Sequence, residues 1–303
     1  MDIISFGGWA RCARFVVNDI ELIVTLDVGP RVISFGFVDG RNELCRYERH
    51  QGQTGGTDYR SYGGHRLWIS PELAETTYEP DNEPVSVEKS QDGWIFTTPI
   101  GHVGVQRSIE VIPDVDRSAY RLVHRLTNHR EDSFECAPWC VTVMAPGGEC
   151  LFPQAPFVSH RDTFLPARPI VLWPYTRMSD PRIEWGDEVI RIAQTTEETP
   201  LKIGSFVSQG FIAYANDGHV FMKRFDQHPG EPYPDFGCNV EVYTRHDMLE
   251  VESLGPLTTL APGASCKHAE TWYLERDTLV PSKNEDCAEL MREWMSSHPH
   301  LHE

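Results

Sequence analysis

The chain is short of positive charge. Against 45 aspartates and glutamates it sets only 27 lysines and arginines, for a formal charge of −18. No segment gathers basic residues that would offset this locally. A surface of that sign repels a phosphate backbone and an anionic lipid headgroup alike, so neither nucleic acid nor membrane is expected as a partner. Long hydrophobic runs are missing too. The best candidate, Leu22 to Val38, is interrupted by Asp27, Pro30 and Arg31, and a bilayer-spanning helix needs roughly 20 apolar residues. The opening MDIISFGGWARC has neither a basic n-region nor an apolar h-region, so the expected location is the cytoplasm. Paired cysteines are scarce as well. Of eight cysteines only Cys136 and Cys140 lie close together, in a CxxxC spacing. A zinc site wants a second close pair and a disulfide framework wants a secretory context, so free buried thiols are the expectation.

Helical periodicity is absent over most of the chain, and repeats of fixed period are not found. What is present is strand pattern, with 40% apolar residues to build a core. From residue 12 to about 275 short β-branched or alternating runs are separated by turn signals: Glu21–Thr25 and Arg31–Val38 around Gly29-Pro30, Val85–Lys89 and Trp94–Thr98 around Gln91-Asp92-Gly93, then Val105–Ile112, Tyr120–Thr127, Phe134–Met144, Leu201–Ser208, Phe211–Ala215, Val220–Phe225, Asn239–Thr244, Met248–Ser253 and Lys267–Leu274. Asn216-Asp217-Gly218 marks another tight hairpin. One all-β antiparallel sandwich is expected over residues 1–276. A C-terminal amphipathic helix over 277–303 should pack on it through Cys287, Leu290, Met291 and Trp294, capped by Asn284 and stopped by Pro299. Two long loops, Glu48 to Gly64 and Leu151 to Trp185, are candidates for functional segments.

Three segments carry unusual chemistry. In Gly63-Gly64-His65-Arg66-Leu67-Trp68-Ile69-Ser70-Pro71-Glu72 two glycines precede an imidazole, a guanidinium, an indole and a carboxylate. On a strand, His65 and Leu67 point one way and Arg66 and Trp68 the other. The segment reads either as a binding site or as a core tryptophan beside a structural ion pair. In Tyr233-Pro234-Asp235-Phe236-Gly237-Cys238-Asn239-Val240-Glu241-Val242-Tyr243, alternation puts Asn239, Glu241 and Tyr243 on one face, exposed or lining a polar cleft. Trp139, in Ala137-Pro138-Trp139-Cys140, suits a core or a sugar platform. His124 reads as a satisfied core histidine, and Glu250 and Glu252 as a solvated strand face. Lys202 and Lys223, each in an apolar strand, either snorkel or meet a carboxylate. Eight tryptophans and ten tyrosines in an acidic β-protein fit carbohydrate handling, since sugar rings offer C–H faces to aromatics and hydroxyls to polar side chains.

The C-terminal third adds a resemblance. Asn239-Val240-Glu241-Val242-Tyr243, Leu254-Gly255-Pro256-Leu257, Leu260-Ala261-Pro262-Gly263 and His268-Ala269-Glu270-Thr271-Trp272-Tyr273-Leu274 follow in the order that closes galactose mutarotase-like (aldose 1-epimerase-like) domains. Leu22 to Phe37, Gly64-His65-Arg66 and Leu126-Thr127-Asn128-His129 are similar to earlier segments of that superfamily. The resemblance implies a β-supersandwich with a cleft for a small-molecule sugar or oligosaccharide; no cofactor or metal is called for by the residues. It implies that Glu241 is the general base at the anomeric centre. The strand after Leu-Thr-Asn reads Trp139-Cys140-Val141-Thr142-Val143-Met144, without the family's usual catalytic histidine, so His65 becomes the nearest catalytic substitute. Arg66 would anchor substrate hydroxyls and Trp68 and Trp139 serve as platforms, with Arg31, Glu72, Lys202, Lys223, Asp235 and Tyr243 as further binding candidates. Two alternatives stand beside this reading: a non-catalytic sugar-binding protein, and a lyase or epimerase whose Arg31, Arg60, Arg66, Lys202 and Lys223 neutralise a uronate.

Overall fold

A computed structural model describes residues 1–301. Alternation of apolar and polar side chains resolves into two antiparallel sheets, of 11 and 10 strands. The first runs, in spatial order, through Asp2–Phe6, Trp9–Val17, Ile20–Thr25, Val32–Phe37, His65–Ser70, Phe134–Met144, Met248–Leu254, Val240–Arg245, Leu201–Ser205 and Val171–Leu172, with Thr258–Leu260 joined to the Phe134–Met144 strand. The second runs through Ile183–Glu184, Val189–Ala193, Glu149–Pro153, Phe211–Asn216, His219–Phe225, Ser265–Glu275, Ala119–Asn128, Val105–Asp114, Trp94–Thr97 and Ser86–Lys89. Leu67, Ile69, Cys140, Met144, Val242, Val251 and Ile203 from the first sheet and Leu122, Leu126, Ile212, Phe221 and Trp272 from the second fill one apolar core between them. The architecture is the expected all-β sandwich.

Turn chemistry sets the register of the hairpins. Asp217 and Gly218 take positive φ of 46° and 77°, the pair a two-residue hairpin turn needs. Gly64 is required for a different reason. Its φ is 68°, and a Cβ there would sit 2.2 Å from the Val32 carbonyl oxygen, so only glycine lets the chain enter the His65–Ser70 strand tight against its neighbour.

The helix Asn284–Ser297 buries Cys287, Ala288, Met291 and Trp294 against Leu151, Val189, Phe211 and Tyr273 of the second sheet. Its start differs from the sequence expectation: Lys283 occupies the cap position, no side chain caps the helix, and Asn284 already lies in the first turn. Among the described residues no helix is long and apolar enough to cross a membrane.

Candidate functional site

Strand register decides which face each polar residue joins. Arg66 pairs with Val141, Val141 with Glu252, Glu252 with Glu241 and Glu241 with Gly204; one step along, Trp68 pairs with Trp139 and Trp139 with Leu254. One step the other way, Val143 pairs with Glu250, Glu250 with Tyr243 and Tyr243 with Lys202. Directly opposed residues share a face. Arg66, Trp68, Trp139, Lys202, Glu241, Tyr243, Glu250 and Glu252 therefore stand together on the outer side of the first sheet. His65, Thr142 and Val251 point the opposite way, into the sandwich.

A cleft of about 340 Å³ opens on that outer face. Arg66, Trp68, Trp139, Lys202 and Glu250 form its floor, and Tyr59, Glu72, Tyr78, Tyr175 and Tyr243 rise around it. The two indoles are packed edge to face, 5.1 Å apart, and neither is open to solvent: Trp68 is 8% and Trp139 3% exposed. The Arg66 guanidinium lies 3.8 Å from the Trp68 ring centre and the Lys202 ammonium 4.5 Å from that of Trp139. The expected tryptophan platforms are thus covered by cations, and the aromatic surfaces facing the cleft are tyrosines. Tyr78 donates its hydroxyl hydrogen to Glu72, fixing that carboxylate on the rim.

Charge in the cleft is closely paired. Lys202 Nζ lies 2.6 Å from Glu241 and 3.1 Å from Glu252, and the Trp139 indole N–H donates to Glu252 at 2.7 Å. Burial pushes Glu241 well above the ordinary carboxylate range, against the pull of Lys202 and with the repulsion of Glu252. For Lys202 burial works against the charged form, but Glu252 and Glu241 outweigh it and its pKa rises. Glu250 meets Arg66 at 3.3 Å. Burial pushes it up to about 7, with Arg66 drawing it back.

Six of the eleven residues singled out from the sequence line this cleft: Arg66, Trp68, Glu72, Trp139, Lys202 and Tyr243. Glu241 shares their face but is fully buried behind Lys202. Asp235 sits apart from the cleft wall, in a turn at φ 50°. Arg31 is elsewhere, paired with Asp81 at 2.9 Å and packed over Tyr62. His65 and Lys223 are corrections of a stronger kind, because strand parity turns both into the core, where neither reaches the cleft. Glu250 and Glu252 correct the expectation of a solvated face, since both are buried. Alternation with apolar residues is the same for a wet face and for a face roofed by loops, and here Trp173 and Tyr175 from the long second loop close over Lys202 and the cleft.

The interior residues form a network of their own, all without solvent exposure. Lys223 Nζ lies 3.0 Å from Glu270 and donates to Thr142 at 2.7 Å. Glu270 also accepts from the Ser253 hydroxyl and the Trp272 indole N–H, at 2.5 and 2.7 Å. His65 Nδ1 meets Thr142 at 2.8 Å, its Nε2 meets His124 Nε2 at 2.7 Å, and His124 Nδ1 donates to the His268 carbonyl at 3.1 Å. That last bond leaves a neutral His124 with an acceptor Nε2, so His65 donates across the 2.7 Å contact and takes a hydrogen from Thr142 at its Nδ1. Burial pushes all three histidines down, His268 to about 3. His124 is the core histidine expected. His65, His124 and Glu270, and likewise Cys140, His268 and Glu270, bring potential ligand atoms within 4.8 Å of one another. A divalent cation fits neither group, because Lys223 already neutralises Glu270 and a further +2 charge would have no counter-charge.

No family model matches the chain, and no curated protein matches it. Solved structures do. A galactose mutarotase-like protein from Lactobacillus casei superposes with a TM-score of 0.52 at 11% identity, over 87% of this chain and all 100% of that one. A galactose mutarotase-like protein from Clostridium acetobutylicum gives 0.51 at 11% identity, over 88% of this chain and 95% of that one. A galactose mutarotase related enzyme from Lactobacillus acidophilus gives 0.53 at 9% identity, over 88% and 98%. At these identities the likeness establishes the fold: the chain is a galactose mutarotase-like β-sandwich.

Proposed function

We propose that this galactose mutarotase-like sandwich binds an uncharged sugar in the outer-face cleft and carries out acid–base chemistry at its anomeric centre. The supporting observation is the cleft itself, with tyrosine walls around a floor on which a guanidinium, an ammonium and carboxylates are held in paired positions. Rigid donors and acceptors of this kind suit ring hydroxyls, and the tyrosines suit C–H faces. Fold alone does not assign the activity; the site chemistry carries the reading.

The charge inventory selects the substrate class. Among the basic groups that could have neutralised a uronate, Arg31 is committed to Asp81, Arg66 to Glu250, Lys202 to Glu241 and Glu252, and Lys223 to Glu270 inside the core, while Arg60 donates to the Gly55 carbonyl and the Tyr62 hydroxyl and does not line the cleft. An acidic sugar entering the cleft would meet Glu72 and Glu250 with no uncommitted cation on the floor to offset them. Mutarotation of a neutral aldose needs only a proton acceptor for the C1 hydroxyl and a donor for the ring oxygen, roles reversed on ring closure. Glu241, which the sequence resemblance implies as the acceptor, is withdrawn behind Lys202, and on this reading its part is to hold that ammonium in place.

The test is magnetisation-exchange proton NMR on the α and β anomers of neutral aldoses and of uronic acids, with and without the protein. Faster exchange of a neutral aldose, with no effect on uronates, is the expected result. Saturable binding without exchange would leave a sugar-binding protein, and a preference for uronates would refute the charge argument.

A further inference from the structure

Three carboxylates stand side by side on the outer face of adjacent strands, and the structure treats them differently. Glu241 and Glu252 are without solvent exposure and both lie against Lys202. Glu250 alone of the three lines the cleft. We propose that Glu250 is the residue that takes the anomeric proton, that Tyr243 supplies the proton to the ring oxygen, and that Arg66 is the positioning residue for Glu250. This inference rests on the sugar-acting reading above.

The geometry of Arg66 points to a missing oxygen. Its guanidinium is held over the Trp68 ring and the residue is 3% exposed. Its hydrogen bond to Glu250 is a long one, 3.3 Å through Nη2. Among the described residues its Nε–H has no acceptor, although the atom is buried. A buried guanidinium N–H left unpaired is costly, and a ligand hydroxyl oxygen placed against it removes that cost. The same hydroxyl then lies beside the Glu250 carboxylate, so one substrate oxygen accepts from Arg66 while its own hydrogen points to Glu250.

Tyr243 faces Glu250 directly in the strand register and lines the same cleft. Burial raises its pKa, which keeps the phenol protonated. In the step, Glu250 removes the hydrogen of the C1 hydroxyl, and the O–H bonding pair becomes the second bond of the C1 carbonyl. The C1–ring-oxygen bond breaks, its electrons pass to the ring oxygen, and Tyr243 delivers a proton there. After rotation about the C1–C2 bond, the hydroxyl formed from the ring oxygen attacks the other face of the carbonyl and returns its proton to Tyr243 while Glu250 reprotonates the C1 oxygen, so the reaction is an isomerisation with no net exchange. Around Glu250 the charged and titratable groups are Arg66 on its own strand, Lys202 and Tyr243 on the two strands beyond Glu250's, Glu252 on Glu250's strand, and Cys45 and Tyr47 from the segment before the first long loop. Burial is the dominant influence and brings the Glu250 carboxyl up to about 7, the range in which a general base works best at neutral pH.

The experiment is anomer exchange of D-galactose and D-glucose by proton NMR, from pH 5 to 9, with the unaltered chain and Glu250→Gln, Glu250→Asp, Glu241→Gln, Tyr243→Phe and Arg66→Gln. The unaltered chain should show an acid limb near neutrality. Glu250→Gln should slow exchange at least ~100-fold while the variant still melts cooperatively and still broadens the sugar lines. Arg66→Gln should move the acid limb to higher pH, a shift that loss of packing alone does not produce. Glu241→Gln should slow exchange far less than Glu250→Gln and still show an acid limb. If Glu250→Gln unfolds the chain, Glu250→Asp carries the test: slowed exchange with a displaced limb supports the assignment, and unaltered exchange overturns it. Full loss in Glu241→Gln with Glu250→Gln still active would overturn the inference and leave the sugar reading standing. No acceleration of either sugar by the unaltered chain would overturn both.

Discussion

Replacing Glu270 by glutamine tests how the interior of the sandwich is held together. The substitution keeps the shape of the side chain but leaves one amide oxygen where Ser253 and Trp272 donate to separate carboxylate oxygens, at 2.5 and 2.7 Å. It removes the carboxylate that pairs with the fully buried Lys223 ammonium at 3.0 Å, its one counter-charge among the described residues. Breaking one partner of a buried ion pair costs ~3–5 kcal/mol, a large part of the roughly 5–15 kcal/mol that holds a domain together. The melting temperature should fall on the order of 10 °C. Lys223→Met should cost less, because Glu270 keeps two hydrogen-bond donors and has His65 Nε2 at 4.0 Å, on a ring that can take a second proton at Nδ1 once the Lys223 ammonium no longer repels it. The double variant Lys223→Met/Glu270→Leu should recover at least half of the loss, giving a coupling of several kcal/mol in a double-mutant cycle. Urea titration with far-UV circular dichroism reads all four stabilities. A Glu270→Gln variant within about 1 kcal/mol of the unaltered chain, or strictly additive single losses, would refute the claim that the pair is mutually dependent.

The same interior predicts acid sensitivity. Burial lowers the pKa of His65, His124 and His268 in the folded chain, whereas the unfolded chain binds protons below about pH 6.5. Their contribution is therefore complete above pH 6.5 and is lost as the pH falls toward the folded values, on the order of 2 kcal/mol per imidazole at pH 5; an unchanged urea midpoint between pH 7 and pH 5 would contradict this. Gly64→Ala should cost at least ~2 kcal/mol, because the backbone there is left-handed and a Cβ would press on the Val32 carbonyl, and differential scanning fluorimetry would read the loss directly. Tyr175→Ala should weaken sugar binding roughly fivefold, about 1 kcal/mol, with the melting temperature unchanged, since that ring is 39% exposed and borders the cleft; calorimetric titration with the best aldose separates the two effects.

Local pattern carries far in this chain. Period-2 alternation and the Gly, Pro and Asn-Asp-Gly turn signals locate nearly every long strand, because an antiparallel sandwich repeats a local rule at each hairpin. Strand parity alone places Arg66 and Trp68 on one face and His65 on the other. The i, i+3, i+4, i+7 spacing of Cys287, Leu290, Met291 and Trp294 marks the terminal helix, and the closing Leu-Ala-Pro-Gly and H-x-x-x-W segments carry the family resemblance. Those features depend on neighbours a few residues apart, which is the range over which a linear pattern holds information.

The distinction between wet and buried faces is not of that kind. Glu250 and Glu252 alternate with apolar residues as any solvated strand does, yet both are buried: Trp139 and Lys202, the latter beneath Trp173, close on Glu252, and Arg66 closes on Glu250, all from more than 45 residues away in the chain. Pairing of charges is equally remote: Lys202 finds Glu241 across one strand boundary and Glu252 across two, while Lys223, in a run of much the same character, finds Glu270 on the neighbouring strand of the second sheet, inside the sandwich. Whether a lysine meets a ligand, a cleft carboxylate or a core carboxylate depends on which strands become neighbours, and that follows from packing two sheets around one core.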